Sequence, residues 1–377
     1  MRSPTNPAAS RRIPELDGWR GLSILGVVIG HLVNVRYTGG PDVDTTNLAS
    51  VMANWGVRIF FIVSGFIITR LALQELTAQG HFSVARFYVR RAFRIVPAFY
   101  FYLLCIALFA GLGLINQSLY GTALAATFIC NFSNSPCDWF AGHSWTLSFE
   151  EQFYLIFPII IYLSGQYFGK AVLSILGILM IFPFIRYFMH LGDAWYQASG
   201  MCLSFSLICV GAVFAAYEAK VRELATGRRN VIMTAAAAAV LVVTGTVSSL
   251  VSFPLRSLQA YVQAGVTDVL LPPCLAWIVL SLVYREGYLS GLLRSRIVQF
   301  FGLISYSLYL WQQAFTANVI YYKAPSWLLF PPLMLVAAVL SYYGIERPCT
   351  QLGRRLLARG GRPALTAADA NEKAIAG

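Results

Sequence analysis

The chain has 377 residues, of which 58% are hydrophobic and only 12% are charged, and its formal net charge is +12. Soluble domains carry about 25% charged residues, so this composition excludes a soluble globular protein and indicates several membrane spans. A net positive charge is also typical of nucleic-acid-binding proteins, but its distribution along this chain favours membrane topology instead.

Apolar stretches of about 20 residues recur along the chain and predict an all-α, polytopic integral membrane protein with about ten transmembrane helices. The ten stretches lie near residues 19–36, 54–73, 95–115, 145–164, 168–189, 198–217, 230–253, 265–284, 300–322 and 325–345. The first begins too late and runs too long for a cleaved signal peptide, so we expect it to remain as a helix.

Basic residues are concentrated in the segments that face the cytoplasm if the N-terminus lies inside. All but five of the 28 lysines and arginines fall in those segments; the five are Arg36, Arg58, Arg186, Arg256 and Lys323. This asymmetry follows the positive-inside rule, and an even number of spans returns the C-terminus to the cytoplasm. We therefore expect a multi-pass protein with both termini in the cytoplasm and no nucleic-acid partner.

The two ends of the chain differ in composition from the apolar region between them. Residues 1–13 predict a flexible cytoplasmic N-terminus, and residues 351–377 predict a flexible cytoplasmic tail. Residues 14–350 then form one transmembrane domain, and we expect no appended soluble domain. Among seven cysteines without metal-ligand spacing, Cys130 and Cys137 share one outside loop. They could form a disulfide in an oxidising compartment, but their spacing leaves free thiols equally open.

The first predicted helix carries two ionisable residues in an otherwise apolar or small sequence. His31 lies eleven positions after Arg20, which separates them by roughly 16 Å along an α-helix, about half of a bilayer core. Arg20 is then at the cytoplasmic face and His31 lies beyond the midplane. An ionisable residue at that depth is costly and usually marks a pathway or a reaction centre. The alternative is a histidine that only hydrogen-bonds a neighbouring helix.

A row of arginines precedes the third predicted helix. Arg86, Arg90 and Arg94 have the i, i+4, i+8 spacing of one helical face, where like charges repel by a few tenths of a kcal/mol per pair. A polyanion is the natural compensation, because guanidinium groups bind phosphate oxygens bidentately. The row thus predicts a phosphorylated cytoplasmic ligand, with anionic lipid headgroups as the alternative.

The fourth predicted helix contains two adjacent carboxylates, Glu150 and Glu151, about one and a half turns from its outer end. Adjacent residues point some 100° apart, so only one of them can face a given pocket. A carboxylate buried away from water must pair or carry a proton, which suits Glu150 to orient or share a proton with His31 in the same outer half. The alternative is a structural ion pair with Arg58.

Small and polar residues mark two further helices. Ser64 and Gly65 in the second helix predict close helix contact. The stretch 305–313 places hydroxyls and amides along the ninth helix, and Glu346-Arg347-Pro348 ends the tenth, where proline stops a helical run. These polar residues either line a cavity or bridge helices.

Taken together, these motifs resemble the membrane-bound acyltransferase family 3, whose members O-acylate sugars of cell-envelope and secreted glycans. The resemblance covers residues 13–350, and the matching elements are Leu16-Asp17-Gly18-Trp19-Arg20-Gly21 with the following His31, Phe60–Phe66, Arg90–Pro97, Trp145–Tyr154 and Ser305–Leu310. Thr146 replaces a serine of the family pattern. Gln312 stands where a histidine is common, which puts an essential histidine at that position in doubt.

The resemblance implies an acyl-CoA-dependent O-acyltransferase of the bacterial plasma (inner) membrane. It would move an acetyl or other short acyl group from cytoplasmic acyl-CoA to a hydroxyl of a cell-envelope or secreted glycan, such as a lipopolysaccharide or an exopolysaccharide. Acetyl-CoA is then a co-substrate, no cofactor is permanently bound, no metal is involved, and the other partners are a glycan or glycolipid acceptor and membrane lipids. The oligomeric state stays open.

The resemblance also implies roles for particular residues. His31 would deprotonate the sugar hydroxyl, with Glu150 orienting it; an acyl-histidine intermediate is a variant. The acyl-CoA phosphates would be bound by Arg20, Arg86, Arg90, Arg91 and Arg94. Supporting positions would be Asp17, Ser64, Trp145, Ser305, Tyr306 and Gln312.

Two other functions fit the same residues. In a proton-coupled transporter or flippase, His31 and Glu150 would form a proton relay, although the chain has no obvious inverted repeat. An acyltransferase acting on a small-molecule sugar, such as that of a macrolide, would share the donor site and differ only in its acceptor.

Overall fold

The computed structural model describes residues 13–38, 48–132, 137–189, 193–250, 268–316 and 330–360. All regular elements in these ranges are helices, which confirms the predicted all-α class. The α-helices are α1 (Pro14–Thr38), α2 (Leu48–Gln79), α3 (Val84–Gly111), α4 (Leu119–Ala126), α5 (Asp138–Gly142), α6 (Ser144–Ser164), α7 (Phe168–Phe188), α8 (Asp193–Ala216), α9 (Glu218–Thr226), α10 (Arg229–Leu250), α11 (Asp268–Ser281), α12 (Tyr288–Leu293), α13 (Arg296–Phe315), α14 (Phe330–Ser341) and α15 (Arg347–Gly360).

Four helical stretches in the described residues are long and apolar enough to cross a membrane. They are Pro14–Val33, Val51–Gln79, Val84–Gly111 and Asp138–Pro183. A fifth is formed if Gly200–Ala216 and Glu218–Thr226, which meet at an angle of 83°, count as one span. The structure therefore supports a membrane protein with several spans.

The predicted count of ten spans is not confirmed. The predicted helix 145–164 and most of the predicted helix 168–189 fall within the single stretch Asp138–Pro183. Parts of the predicted spans that begin near residues 230, 265, 300 and 325 lie outside the described residues, as do the N-terminus before residue 13 and the tail after residue 360. The C-terminal prediction also differs in one respect, because α15 is helical through Gly360.

Helix α2 lies between α1 and α8, and its contact with α8 is made by backbone. A Cβ atom on Gly65 of α2 would collide with the carbonyl oxygen of Ile208 in α8, and a Cβ atom on Gly211 of α8 would collide with that of Ile62 in α2. Glycines let helix backbones approach this closely in membrane proteins. The structure confirms the close contact predicted for Gly65.

Helix α1 makes a second backbone contact, with α13. A Cβ atom on Gly21 would collide with the carbonyl oxygen of Val298, and a Cβ atom on Gly302 would collide with that of Asp17. At the same end, the buried carboxylate of Glu15 forms an ion pair with Arg294. These contacts fix the rotation of α1 and therefore the direction in which Arg20 points.

The segment between α3 and α6 is held together by local links. Cys130 and Cys137 form a disulfide, which answers the question that their spacing leaves open. The Asp138 carboxylate accepts hydrogen bonds from the backbone amide and the hydroxyl of Ser118. The Tyr102 hydroxyl of α3 donates a hydrogen bond to the Phe140 carbonyl oxygen at 2.5 Å. Helix α5 is thereby fixed on α3, directly before His143 and the start of α6.

The glycine contact between α2 and α8 predicts a position-dependent effect of adding one methyl group. Gly65→Ala forces two backbones apart, and overpacking of this kind typically costs about 1–3 kcal/mol. We expect its melting temperature in detergent to fall clearly below that of the wild type. Gly177→Ala is the matched control, because a Cβ atom there has no neighbour within 4 Å. Equal melting temperatures for the two variants would contradict the account.

Candidate functional site

An open cavity of about 780 Å³, including the space at its mouth, lies between α1, α2, α3, α6 and α13. Apolar side chains of α2 form much of its wall, including Val57, Phe60 and Ile67. The polar residues that line it are Arg20, Ser64, Arg91, Arg94, Thr146, Glu150, Tyr154, Ser305, Tyr306 and Tyr309. Five helices spread over residues 14–315 thus contribute to one pocket that combines an apolar wall with polar groups, as small-molecule sites do.

A chain of hydrogen bonds crosses one wall of the cavity. The Tyr154 hydroxyl donates to Oε2 of Glu150 at 3.1 Å and lies 2.6 Å from Oγ of Ser64. Glu150 and Tyr154 are four residues apart on α6, so their side chains lie on the same face. Gly65 brings α2 close to α8, and the preceding residue, Ser64, faces the cavity. These hydrogen bonds hold the Glu150 carboxylate in one orientation.

Positive charge dominates the interior of the cavity. The Arg91 guanidinium lies over the Tyr154 ring, 5.1 Å from its centroid, and interacts electrostatically with Glu150. Arg20 interacts with Arg94 and Glu150. Three arginines and one glutamate line the cavity, so the lining is complementary to an anion.

A second, wider chamber of about 1700 Å³, including the open space at its mouth, adjoins the cavity and shares Arg20, Ile67 and Arg94 with it. Its further polar residues are Asp17, Arg70, Tyr342, Glu346, Arg347, Thr350, Gln351 and Arg354. We call this chamber the vestibule. It lies at the N-terminal end of α1, which is the predicted cytoplasmic side.

The structure divides the four arginines that the sequence groups together. Arg91 and Arg94 line the cavity. Arg90 instead forms an ion pair with Glu75 of α2, with 2.7 Å between Nη2 and Oε2. Nη1 of Arg86 donates a hydrogen bond to the side-chain oxygen of Gln79 at 3.2 Å. The partners on α2 hold Arg86 and Arg90 away from the cavity lining.

His31 belongs to a different group of residues from Glu150. The Gln313 side chain lies within hydrogen-bonding reach of the His31 imidazole, and His143 is close enough to interact with it electrostatically. The strongest interactions of Glu150 are with Tyr154, Ser64 and the arginines of the cavity. The structure thus places Glu150 among the arginines, and His31 with Gln313 and His143.

Tyr309 of α13 lies between these two groups. Its ring lines the cavity, and its centroid is 5.3 Å from that of the His143 ring. Its hydroxyl is 2.6 Å from Oγ1 of Thr146 and donates to the carbonyl oxygen of His143 at 3.0 Å. Tyr309 therefore forms the boundary between the cavity and the histidine group.

The predicted supporting residues fall at different places. Ser305 and Tyr306 line the cavity, and the Tyr306 hydroxyl donates to the Ile95 carbonyl oxygen at 2.9 Å. Asp17 lines the vestibule. Gln312 is fully buried. Trp145 is 38% exposed and packs edge-on against the rings of Phe61 and Phe149, outside the cavity lining.

Sequence reasoning assigned no ligand-binding role to three residues of this region, although it named Arg347 among residues that could line a cavity. His143 opens the helix that carries Glu150, and its position next to a predicted intramembrane helix was the available signal. Arg347 and Arg354 line the vestibule from α15. They lie seven residues apart, which is two helical turns. Their spacing therefore indicates a shared face if the segment is helical.

Comparison with known proteins agrees with this architecture. A family model described as an acyltransferase domain, that of acyltransferase family 3, matches residues 13–346. The chain is 26% identical over 387 aligned positions to Staphylococcus aureus proteins provisionally named O-acetyltransferase SACOL0978 (strain COL) and SAS0844 (strain MSSA476). These alignments cover 92% of this chain and 59% of each relative.

A shorter alignment joins the chain to O-acetyltransferase OatA of Staphylococcus aureus strain NCTC 8325 / PS 47. It is 32% identical over 164 residues and covers 40% of this chain and 25% of OatA. The chain spans about three fifths of the length of the relatives that match it most fully. No solved structure matches it significantly. The family match covers nearly all of the region that builds the cavity and the histidine group, and on this ground the chain belongs to acyltransferase family 3.

Proposed function

We propose that the chain is an integral-membrane O-acyltransferase that moves an acetyl or other short acyl group from cytoplasmic acyl-CoA to a hydroxyl of a cell-envelope or secreted glycan. The observation that carries the proposal is the arginine-lined cavity, which adjoins a basic vestibule and whose wall residue Tyr309 packs against the His143 ring beside His31. The names of the Staphylococcus aureus relatives support O-acetyl transfer.

The donor site follows from the distribution of arginines. Acyl-CoA carries a diphosphate and a further phosphate, and guanidinium groups bind such oxygens with charge-assisted, often bidentate hydrogen bonds. We assign the phosphates to Arg94, Arg347 and Arg354, with Arg20 at the passage between the two chambers. Arg86 and Arg90 were predicted for this role as well, but their contacts with α2 favour a structural one.

The acyl group would reach the reaction centre through the cavity. The thioester lies at the end of the long pantetheine arm of CoA, so the phosphates can stay in the vestibule while the acyl group passes between Arg91 and Tyr306. Glu150 contributes by attracting Arg91 and Arg20, each of which is repelled by the charge of Arg94. In this proposal Glu150 is a positioning residue for the donor site, in place of the role predicted for it beside His31.

His31 would act as the general base. It takes the proton from the acceptor hydroxyl as the hydroxyl oxygen forms a bond to the thioester carbonyl carbon. The carbon–sulfur bond then breaks, and the CoA thiolate leaves and takes the proton from the imidazolium. The acceptor approaches from the outer side, so an acyl group crosses the membrane while CoA stays in the cytoplasm.

Replacement of the base predicts a large loss of transfer without loss of donor binding. His31→Ala removes a positioned base, which typically contributes on the order of 10²–10⁴-fold to the rate. Mass spectrometry of envelope and secreted glycans should show acetyl groups in a deletion strain complemented with wild type and none with His31→Ala. His81→Ala is the control, because His81 is exposed and contacts only a backbone oxygen, that of Gln79, among the described hydrogen bonds. Full acetylation by His31→Ala would rule out the base assignment.

Arginines that line the two chambers should contribute to the binding of acetyl-CoA by the purified protein, whereas arginines outside them on the same helices should not. Loss of one charge-assisted hydrogen bond costs about 1.5–3 kcal/mol, roughly 10- to 100-fold in Kd. We expect this weakening for Arg94→Gln and Arg354→Gln. The controls Arg90→Gln and Arg355→Gln alter exposed arginines on the same two helices, outside both chambers, and should keep the wild-type Kd by calorimetry. A Kd for Arg90→Gln as weak as that for Arg94→Gln would contradict the assignment.

A further inference from the structure

Four polar side chains, those of His31, His143, Gln312 and Gln313, carry buried atoms that make no hydrogen bond of good geometry within the described part of the chain, although Gln313 lies close to His31. These atoms are Nδ1 of His31, both ring nitrogens of His143, both amide atoms of Gln312 and Oε1 of Gln313. His143 and Gln313 are each 5% exposed and Gln312 is fully buried. An unpaired buried polar group typically costs about 1–3 kcal/mol, so such a concentration at one place calls for a ligand that pairs with it.

The positions of these residues on α13 bring them to one site. Tyr309, Gln312 and Gln313 have i, i+3, i+4 spacing and share a face of the helix. Tyr309 contacts the His143 ring, and Gln313 reaches the His31 imidazole. The face therefore connects the two histidines, on the side of Tyr309 away from the arginines.

The chemistry of the site indicates what it binds. Neutral imidazoles and amides each offer both donors and acceptors, and none of the four side chains has a fixed charge. Two aromatic rings pack against His143, with the ring centroids of Tyr102 and Tyr309 at 5.5 and 5.3 Å from that of His143. Such a site suits a neutral ligand with several hydroxyls, whereas the cavity on the other side of Tyr309 suits an anion.

We propose that His143, Gln312 and Gln313 form the subsite that binds the hydroxyls of the acceptor sugar next to His31. His143 is a substrate-binding residue here, and the proton is taken by His31. This inference rests on the proposed function, because a hydroxyl-binding subsite beside the base has a role only if a hydroxyl is acylated. It adds the residues that recognise the acceptor.

Two variants test the subsite, because each should lower acyl transfer while leaving the stability of the protein unchanged. Gln312→Leu and His143→Leu replace unpaired polar side chains with apolar ones, and an unpaired group can be replaced in this way at little or no cost to stability. His143 makes no side-chain cap to α6 that the change would remove. We expect the melting temperature and the Kd for acetyl-CoA to stay at or near wild-type values, while acyl transfer falls at least tenfold.

Gln299→Leu is the matched control on the same helix. The Gln299 amide donates to the carbonyl oxygens of Pro14 and Leu293 at 2.6 and 2.7 Å, so this variant should lose stability and keep its transfer rate per folded molecule. Transfer is measured in inside-out membrane vesicles from a deletion strain complemented with the wild type or with one variant. Radiolabelled acetyl-CoA is added outside the vesicles, and the native acceptor lies within.

The outcomes separate the two proposals. Wild-type vesicles that incorporate no label overturn the proposed function itself. Wild-type vesicles that incorporate label, with Gln312→Leu and His143→Leu doing so equally well, overturn only the subsite. Loss of acetyl-CoA binding in either variant would also overturn it, because the side chain would then serve the donor. A loss of stability in Gln312→Leu as large as in Gln299→Leu would overturn it as well, because the amide would then be a structural partner.

Discussion

The close backbone packing of α1 is the constraint on which the rest of the site depends. Gly21 allows α1 to touch α13, and a Cβ atom on Gly56 of α2 would collide with the Ser23 carbonyl oxygen of α1. Held on two sides in this way, α1 cannot rotate. Arg20 therefore faces the passage between the vestibule and the cavity, and His31, three helical turns further on, meets Gln313 and His143. One helix thus sets the separation between the proposed donor and acceptor sites.

The site is assembled from groups that oppose stable folding. Arg94 repels both Arg20 and Arg91 inside the cavity, and Glu150 and Glu346 act against that repulsion. On the other side of Tyr309, neutral polar atoms are buried without hydrogen-bond partners among the described residues. Both costs would fall if the proposed ligands bound, an anion on one side and a polyhydroxyl compound on the other. Such local destabilisation is typical of sites that bind and transform substrates.

The sequence predicts which residues share a helix better than it predicts which residues contact each other across helices. The eleven-residue separation of Arg20 and His31 places them correctly on one helix, because helical rise depends on local geometry alone. The spacing of Arg86, Arg90 and Arg94 shows a shared face but not what that face touches, so it could not reveal that Glu75 and Gln79 pair with two of these residues. Depth along a helix likewise put Glu150 and His31 in the same half of the membrane, whereas rotation about the helix axes decides their neighbours.

The number of spans, the disulfide and the role of His143 could not be predicted from the sequence for other reasons. An apolar run shows that a segment can be buried, but it does not distinguish a straight span from α8 and α9, which meet at 83°. The link between Cys130 and Cys137 depends on how the loop folds onto α3 through Tyr102 and Phe140. His143 passes unnoticed because a single histidine at a helix start has no periodic signature. Its two neighbouring rings become visible only in three dimensions.

The central claim is that the acyl donor and the acceptor enter from opposite sides of the membrane, and sidedness of transfer tests it most directly. Radiolabelled acetyl-CoA is supplied to sealed inside-out vesicles and to sealed right-side-out vesicles that contain the protein and its native acceptor. The account predicts label on the acceptor only when acetyl-CoA reaches the cytoplasmic face, with the labelled acceptor on the opposite face. Equal labelling from either face, or a labelled acceptor on the cytoplasmic face, would contradict it.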